Sequence, residues 1–191
     1  MSLRLSGGRR LRSPLGTGTR PTASRVRLAV MNLLAPRLDG ARWLDLCSGS
    51  GVMACEALQR GVAAVLAVER QRGVAALARA NLEAVRAGLA SGHPAAEVEV
   101  LAEEVLRMLH RGRGDRGQFD LAYADPPYAA GLYEPLAAAL RHGWLAPDGL
   151  LILEHASASP LEVPRGWRER DRRRYGSCGL LLLEQDGDGD G

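Results

Sequence analysis

From residue 41 onward, short apolar runs of strand length alternate with segments of helix length, and this alternation leaves few architectures open. Strand-like runs fall at 43–46, 65–69, 97–101, 119–124 and 150–154. Helix-like segments lie between them at 52–60, 73–87, 104–110 and 131–142. Gly61 and Gly88 punctuate the first two, and Pro147-Asp148-Gly149 reads as a turn before the fifth strand. Strands that take turns with helices build a parallel sheet covered on both faces. The stretches 167–174 and 180–184 read as a hairpin around Tyr175-Gly176-Ser177, which adds antiparallel strands at one edge. The fold class expected is therefore α/β, with a mainly parallel sheet and a C-terminal antiparallel hairpin.

Residues 1–20 do not follow this pattern. They are rich in Arg, Gly, Ser and Thr and read as an extended or hairpin-like arm. A helix follows, with apolar residues at 26, 29, 30, 33 and 34 on one face, Thr22 or Ser24 as cap and Pro36 as stop. Seven arginines and no acid occur in the first 30 residues: Arg4, Arg9, Arg10, Arg12, Arg20, Arg25 and Arg27. Guanidinium forks match phosphate oxygens, so this arm and the exposed first turns of the helix are the expected nucleic-acid contact. A second cluster spans Arg165 to Arg174, diluted by Glu169 and Asp171, and reads equally well as a phosphate patch or a solvated face. Residues 186–191 are acidic, of low complexity and expected to be disordered. The chain thus divides into arm and helix at 1–38, an α/β domain at 39–185, and the tail at 186–191.

The longest apolar runs, at 149–153 and 180–183, fall far short of the roughly 20 residues of a membrane-spanning helix. Cys47, Cys55 and Cys178 have neither disulfide nor metal spacing. Reduced thiols and the lack of a signal-peptide pattern point to the cytoplasm, with no metal and no membrane partner.

Two motifs carry chemistry. Leu44-Asp45-Leu46-Cys47-Ser48-Gly49-Ser50-Gly51 joins the first strand to its helix, where glycines allow the backbone to approach a ligand. Glu69, followed by Arg70, ends the second strand and can accept hydrogen bonds from both hydroxyls of a ribose. Gly49-x-Gly51-x-x-Ala54 also fits a loose dinucleotide fingerprint. Asp45, however, would repel a pyrophosphate and attract the ammonium and sulfonium of S-adenosylmethionine. Glu104, beside the Val105 amide, can take an adenine amino group or cap the next helix.

The second motif, Asp125-Pro126-Pro127-Tyr128, follows the fourth strand. Two prolines fix the backbone and remove two donors, leaving the Asp125 carboxylate and the Pro126 carbonyl as converging acceptors. Such a pair can hold an exocyclic amine, with Tyr128 stacked on the base. The plain alternative is a proline turn with a core tyrosine.

With these motifs and Arg20-Pro21-Thr22-x-x-Arg25-Val26-Arg27 ahead of them, the chain resembles the RsmD-type 16S ribosomal RNA guanine-N2 methyltransferases from about residue 7 to 184. The resemblance implies a Rossmann-like methyltransferase sheet of seven strands. It implies methyl transfer from S-adenosylmethionine to N2 of a guanine in 16S rRNA, on an assembled or assembling small ribosomal subunit, by an enzyme expected to be a monomer. Carried onto this sequence, the catalytic residues are Asp125, Pro126, Pro127 and Tyr128. The cofactor residues are Asp45, Cys47, Ser48, Gly49, Ser50, Gly51, Glu69, Arg70, Glu104, Val105 and Asp125. The RNA residues are Arg9, Arg10, Arg12, Arg20, Thr22, Arg25 and Arg27. Other amine substrates, DNA adenine N6 or a protein glutamine, are the alternative; an NAD-dependent oxidoreductase and a non-catalytic RNA-binding module are disfavoured by Asp45 and by the intact clamp, respectively.

Overall fold

The structure, a computed structural model, describes residues 3–13, 21–89 and 96–187. Arg20, the rest of 14–20 and residues 188–191 of the acidic tail lie outside the described residues, as does the side chain of Thr22.

The arm opens with β1 (Leu3–Arg4) paired antiparallel to β2 (Arg10–Leu11), a small hairpin turned at Gly8 with φ of 82°. Helix α1 (Pro21–Leu33) follows, and Pro36 sits inside a short 3-10 turn, Ala35–Arg37, just beyond it. The main domain then runs β3 (Arg42–Leu46), α2 (Val52–Leu58), β4 (Ala64–Val68), α3 (Arg72–Ala87), β5 (Glu97–Leu101), α4 (Val105–Arg111), β6 (Phe119–Ala124), α5 (Tyr133–Leu140), β7 (Leu145–Ala156), β8 (Trp167–Tyr175) and β9 (Cys178–Gln185).

One seven-stranded sheet has the order β5-β4-β3-β6-β7-β9-β8. The first five strands pair in parallel, while β9 lies antiparallel between β7 and β8. The central strands are apolar on both sides because both faces are covered: every residue of β4 is buried. One face packs with the arm hairpin, α1, α2 and α3 through Trp43, Val26, Met31, Leu58 and Leu82. The other packs with α4 and α5 through Leu46, Met108, Leu140, Trp144 and Trp167. All three tryptophans are core residues.

The expected turn at 147–149 is a bulge instead. Leu145 already pairs with Phe119, and pairing resumes at Leu121 with Leu150, so the exposed Pro147 and Asp148 loop out of one continuous strand. Among the described residues no helix is long and apolar enough to cross a membrane.

The strand order reverses direction between β3 and β6. In an open α/β sheet, the crevice beyond the carboxyl ends of the strands at such a point is where ligands bind.

Candidate active site

A cavity of about 760 Å³ opens at that place. Its wall takes residues from the ends of β4 (Val68, Glu69, Arg70, Gln71), β5 (Glu103, Glu104, Val105), β6 (Asp125 to Tyr128) and β7 (Glu154), with Cys47, Ala130, Leu132, Ser177 and Cys178. Two motifs 80 residues apart, at Asp45 and Asp125, thus meet because β3 and β6 are neighbours, Leu46 pairing with Ala124.

The glycine loop folds tightly. Cys47 has φ of 60°, and Gly49 and Gly51 have φ of 52° and 74°. Gly51 starts α2, and a Cβ there would lie 3.2 Å from the Ala78 Cβ of α3, so a side chain would push the two helices apart. Glu69 reaches back under the loop. Its Oε2 accepts from the Gly49 N–H at 3.2 Å and its Oε1 from the Gln71 N–H at 2.8 Å. Each oxygen keeps acceptor capacity for a further donor. The Ser48 Oγ is buried and has no hydrogen-bond partner among the described residues.

Of the residues expected to hold a cofactor, Cys47, Glu69, Arg70, Glu104, Val105 and Asp125 line the cavity. Ser48, Gly49, Ser50 and Gly51 shape the loop without lining it. Glu104 also caps α4, its Oε2 accepting from the Arg107 N–H at 2.8 Å. Both readings of that residue are therefore compatible. Burial, then the charges of Glu69, Asp45 and Asp125, pushes the Cys47 thiol up to about 12, so it stays protonated near neutrality.

Asp45 departs from the expected direct contact. It is 1% exposed and turns toward α2, where its Oδ2 accepts from the Ala54 N–H at 3.1 Å. A middle strand with both faces covered offers that carboxylate a helix amide rather than open space. Burial pushes its pKa from 3.8 up to about 7; the Ala54 N–H opposes this, and the charges of Asp125 and Glu69 add to it. Between those two values the unfolded chain has lost a proton that the folded chain keeps, so this residue costs stability as pH rises across that window. Asp45→Asn retains an acceptor for Ala54 and removes the cost. Its melting temperature is expected to exceed that of the unsubstituted protein by several degrees at pH 8 and to match it near pH 4. A difference independent of pH in calorimetric melts would contradict this account.

The clamp region begins where β6 ends. Pro126 is buried, and Pro127, with φ of −53°, leads into the 3-10 turn Tyr128–Ala130. Tyr128 is 41% exposed at the cavity and is not a core residue. Asp125 is solvent-exposed.

Sequence reasoning missed Glu154, Ser177 and Cys178. The β9 segment inserts beside β7, and its first residue, Cys178, enters the wall together with Ser177. No local pattern announces that neighbourhood, although Glu154 does stand at the carboxyl end of a strand already recognised. Its Oε2 accepts from the Tyr123 hydroxyl, and its backbone carbonyl accepts from the Tyr133 hydroxyl at 3.0 Å.

The basic residues separate into distinct environments. Arg10, Arg12 and Arg25 are exposed. Arg9 is half-buried and donates to the Ala84 carbonyl of α3 at 2.9 Å. Arg27 corrects the expectation of an exposed RNA contact. It is 6% exposed, donates to the Arg4 carbonyl at 2.7 Å and lies 3.6 Å from Glu56. The arm folds back over α1 and covers it. The second cluster is largely paired with acids: Arg168 and Arg170 with Glu184, Arg172 with Glu169, and Arg173 with Asp171.

The family described as Conserved hypothetical protein 95 matches residues 5–184. The chain is 30% identical over 185 residues to the Ribosomal RNA small subunit methyltransferase D of Escherichia coli K12, covering 96% of this chain and 88% of that one. It is 30% identical over 178 residues to the protein of the same name from Haemophilus influenzae, covering 93% and 89%. The solved structure of a hypothetical protein of Thermus thermophilus superposes with a TM-score of 0.72 at 29% identity, over 95% of this chain and 99% of that one. Sequence and fold agree over nearly the whole length, and the chain belongs to the Conserved hypothetical protein 95 family, that of the small-subunit ribosomal RNA methyltransferases D.

Proposed function

We propose that this protein transfers a methyl group from S-adenosylmethionine to the exocyclic N2 of a guanine in 16S rRNA, on a small ribosomal subunit in the cytoplasm. One observation carries the reading. Asp125 and Pro126 line the same cavity as Glu69 and Glu104, which supports an amine clamp and a nucleoside site sharing one space.

The residues present fit the cofactor. The cavity has the volume of a typical small-molecule site. Its wall carries five carboxylates, Glu69, Glu103, Glu104, Asp125 and Glu154, of which Glu103 is paired with Arg111 and Arg107, against one cation, Arg70, among the described lining residues. That balance favours a ligand with ammonium and sulfonium charges and disfavours a pyrophosphate, which argues against a dinucleotide. Glu69 would take the ribose hydroxyls, Glu104 with the Val105 amide the adenine edge, and the loop from Cys47 to Gly51, which reaches the cavity at Cys47, the amino-acid end. When bound, S-adenosylmethionine supplies an electrophilic methyl group.

The remaining work falls to the chain. Asp125 and the Pro126 carbonyl accept the two amine hydrogens and turn the nitrogen lone pair out of conjugation with the ring. Tyr128 stacks on the base. No proton need leave beforehand, because the amine becomes acidic once methylated, and Asp125 is placed to take it. Residues 1–38 would approach the RNA through Arg10, Arg12 and Arg25, with residues 39–185 as the catalytic domain. The relatives named above are called ribosomal RNA small subunit methyltransferases, which agrees with this substrate class.

The test uses labelled S-adenosylmethionine and small subunits lacking the modification, followed by digestion of the RNA and identification of the labelled nucleoside. N2-methylguanosine is the expected product. Cofactor binding without label in the RNA would move the reading to another amine, and absence of cofactor binding would undo the nucleoside site.

A further inference from the structure

The cavity contains a carboxylate that the methyl-transfer reading does not use. Sheet order places Glu69 and Glu104 at the ends of β4 and β5, on one side of the β3/β6 reversal, and Glu154 at the end of β7, on the other. Asp125 stands between them. Ala124 pairs with Leu153 in parallel register, so Asp125, the first residue beyond β6, and Glu154, still within β7 and paired with Leu180 of β9, stand at the same level on neighbouring strands. They also line the same cavity. Their predecessors two positions back, Tyr123 and Ile152, are register partners packed in the same core cluster.

The side chain is held in place. The buried Tyr123 hydroxyl donates to Oε2, and Tyr133 fixes the backbone carbonyl of the same residue. The partner of Oε2 is a neutral phenol, which orients the carboxylate without cancelling its charge. An ionised carboxylate offers about four acceptor sites; Tyr123 takes one and the Cys178 thiol another, which leaves capacity for a donor from the base.

We propose that Glu154 accepts the N1–H of the target guanine while Asp125 holds the neighbouring amino group, so that two adjacent strands select the base by its paired donors. The inference rests on the methyl-transfer reading above and deepens it. Guanine alone among the four RNA bases presents two adjacent donors, N1–H and N2–H. Adenine and cytosine place a bare ring nitrogen beside their amino groups. A carboxylate facing that nitrogen sets acceptor against acceptor, and a site built to hydrogen-bond a donor rejects an analogue lacking it. Glu154 is thus a specificity residue, and Tyr123 a positioning residue that acts through it.

The experiment begins by mapping the methylated nucleotide, then rebuilds small subunits with 2-aminopurine at that position. This base keeps the amino group but has an acceptor at N1. The unsubstituted enzyme is expected to methylate guanine roughly ten-fold faster or more than 2-aminopurine. In Glu154→Gln the amide oxygen can still accept from Tyr123 while its NH2 faces the base. That variant is expected to slow on guanine by about ten-fold and to lose the preference, with unchanged affinity for S-adenosylmethionine. Tyr123→Phe, which frees the carboxylate from its anchor, is expected to shift the ratio the same way by less. Equal rates of the unsubstituted enzyme on both bases would overturn the proposal and leave N2 transfer standing. So would a preference preserved in both variants, which would assign both hydrogens to Asp125. Failure of the unsubstituted enzyme to methylate the guanine in unmodified subunits would remove the underlying reading, and this inference with it.

Discussion

Asp125→Ala is expected to lower methyl transfer by about 10²–10⁴-fold while leaving affinity for S-adenosylmethionine nearly unchanged. The carboxylate is placed to do two things: it accepts an amine hydrogen, which exposes the nitrogen lone pair, and it receives the proton of the methylated product. Alanine removes both. Asn keeps an oxygen acceptor for the amine hydrogen but cannot take up the proton, so it is expected to recover only part of the loss. The cofactor keeps Glu69, Glu104 and the glycine loop, so binding and chemistry should separate cleanly. Single-turnover transfer measured beside calorimetric binding reads the two effects. Full activity in the Ala variant would remove the clamp from the mechanism.

The second large effect concerns stability. Glu56, on α2, is 1% exposed; Ser6 and Arg27 tie it to the arm and α1, and Arg60, four residues along the chain, braces it. Its Oε1 accepts from the Ser6 N–H at 2.9 Å; its Oε2 accepts from the Ser6 hydroxyl at 2.7 Å and from Arg60 at 2.8 Å. Arg27 stands 3.6 Å away, itself buried. Glu56→Ala leaves that guanidinium without its anion, a loss of about 3–5 kcal/mol. For a chain of this size the melting temperature should fall by roughly 10 °C. Burial pushes the Glu56 carboxyl up, but the hydrogen bonds from Ser6 and Arg60 outweigh it and the net shift is downward from 4.5. The contribution is therefore present above pH 4.5 and lost as pH falls through the lower folded value. Melts at pH 7 and below pH 4 should show the gap between the two proteins narrowing in acid. A gap that does not change with pH would mean the loss is packing alone.

Much of this architecture was legible because it is local. Strand-length apolar runs and glycine punctuation located the alternating elements, and a terminal hairpin was visible around Gly176. Arg27 shows where attention to one face fell short. It shares a helical stripe with Val30 and Leu34, both buried, so its spacing alone was evidence of an inward side chain. What overrode the reading was the basic composition around it. Asp45 was misplaced for a different reason: the motif gives a residue type, whereas the amide it meets, Ala54, depends on how α2 docks. Glu154, Ser177 and Cys178 depend on sheet order, since β9 reaches the cavity only by lying between β7 and β8.

That insertion has a consequence for how the protein is made. The strand that seals the sheet, β9, follows all the other described strands in sequence, so a ribosome must release the chain through Gln185 before β7 gains its second neighbour. Until then β7 has an unpaired edge, and the run Leu180 to Leu183 has no shelter, a combination that invites pairing with other chains. Once β9 is in, the outer edge passes to β8, whose arginines and acids discourage such contacts. Both signature motifs are synthesised long before this, yet the wall that completes their cavity arrives only with Ser177 and Cys178. An unfinished or clipped chain would therefore hold the motifs without a finished pocket.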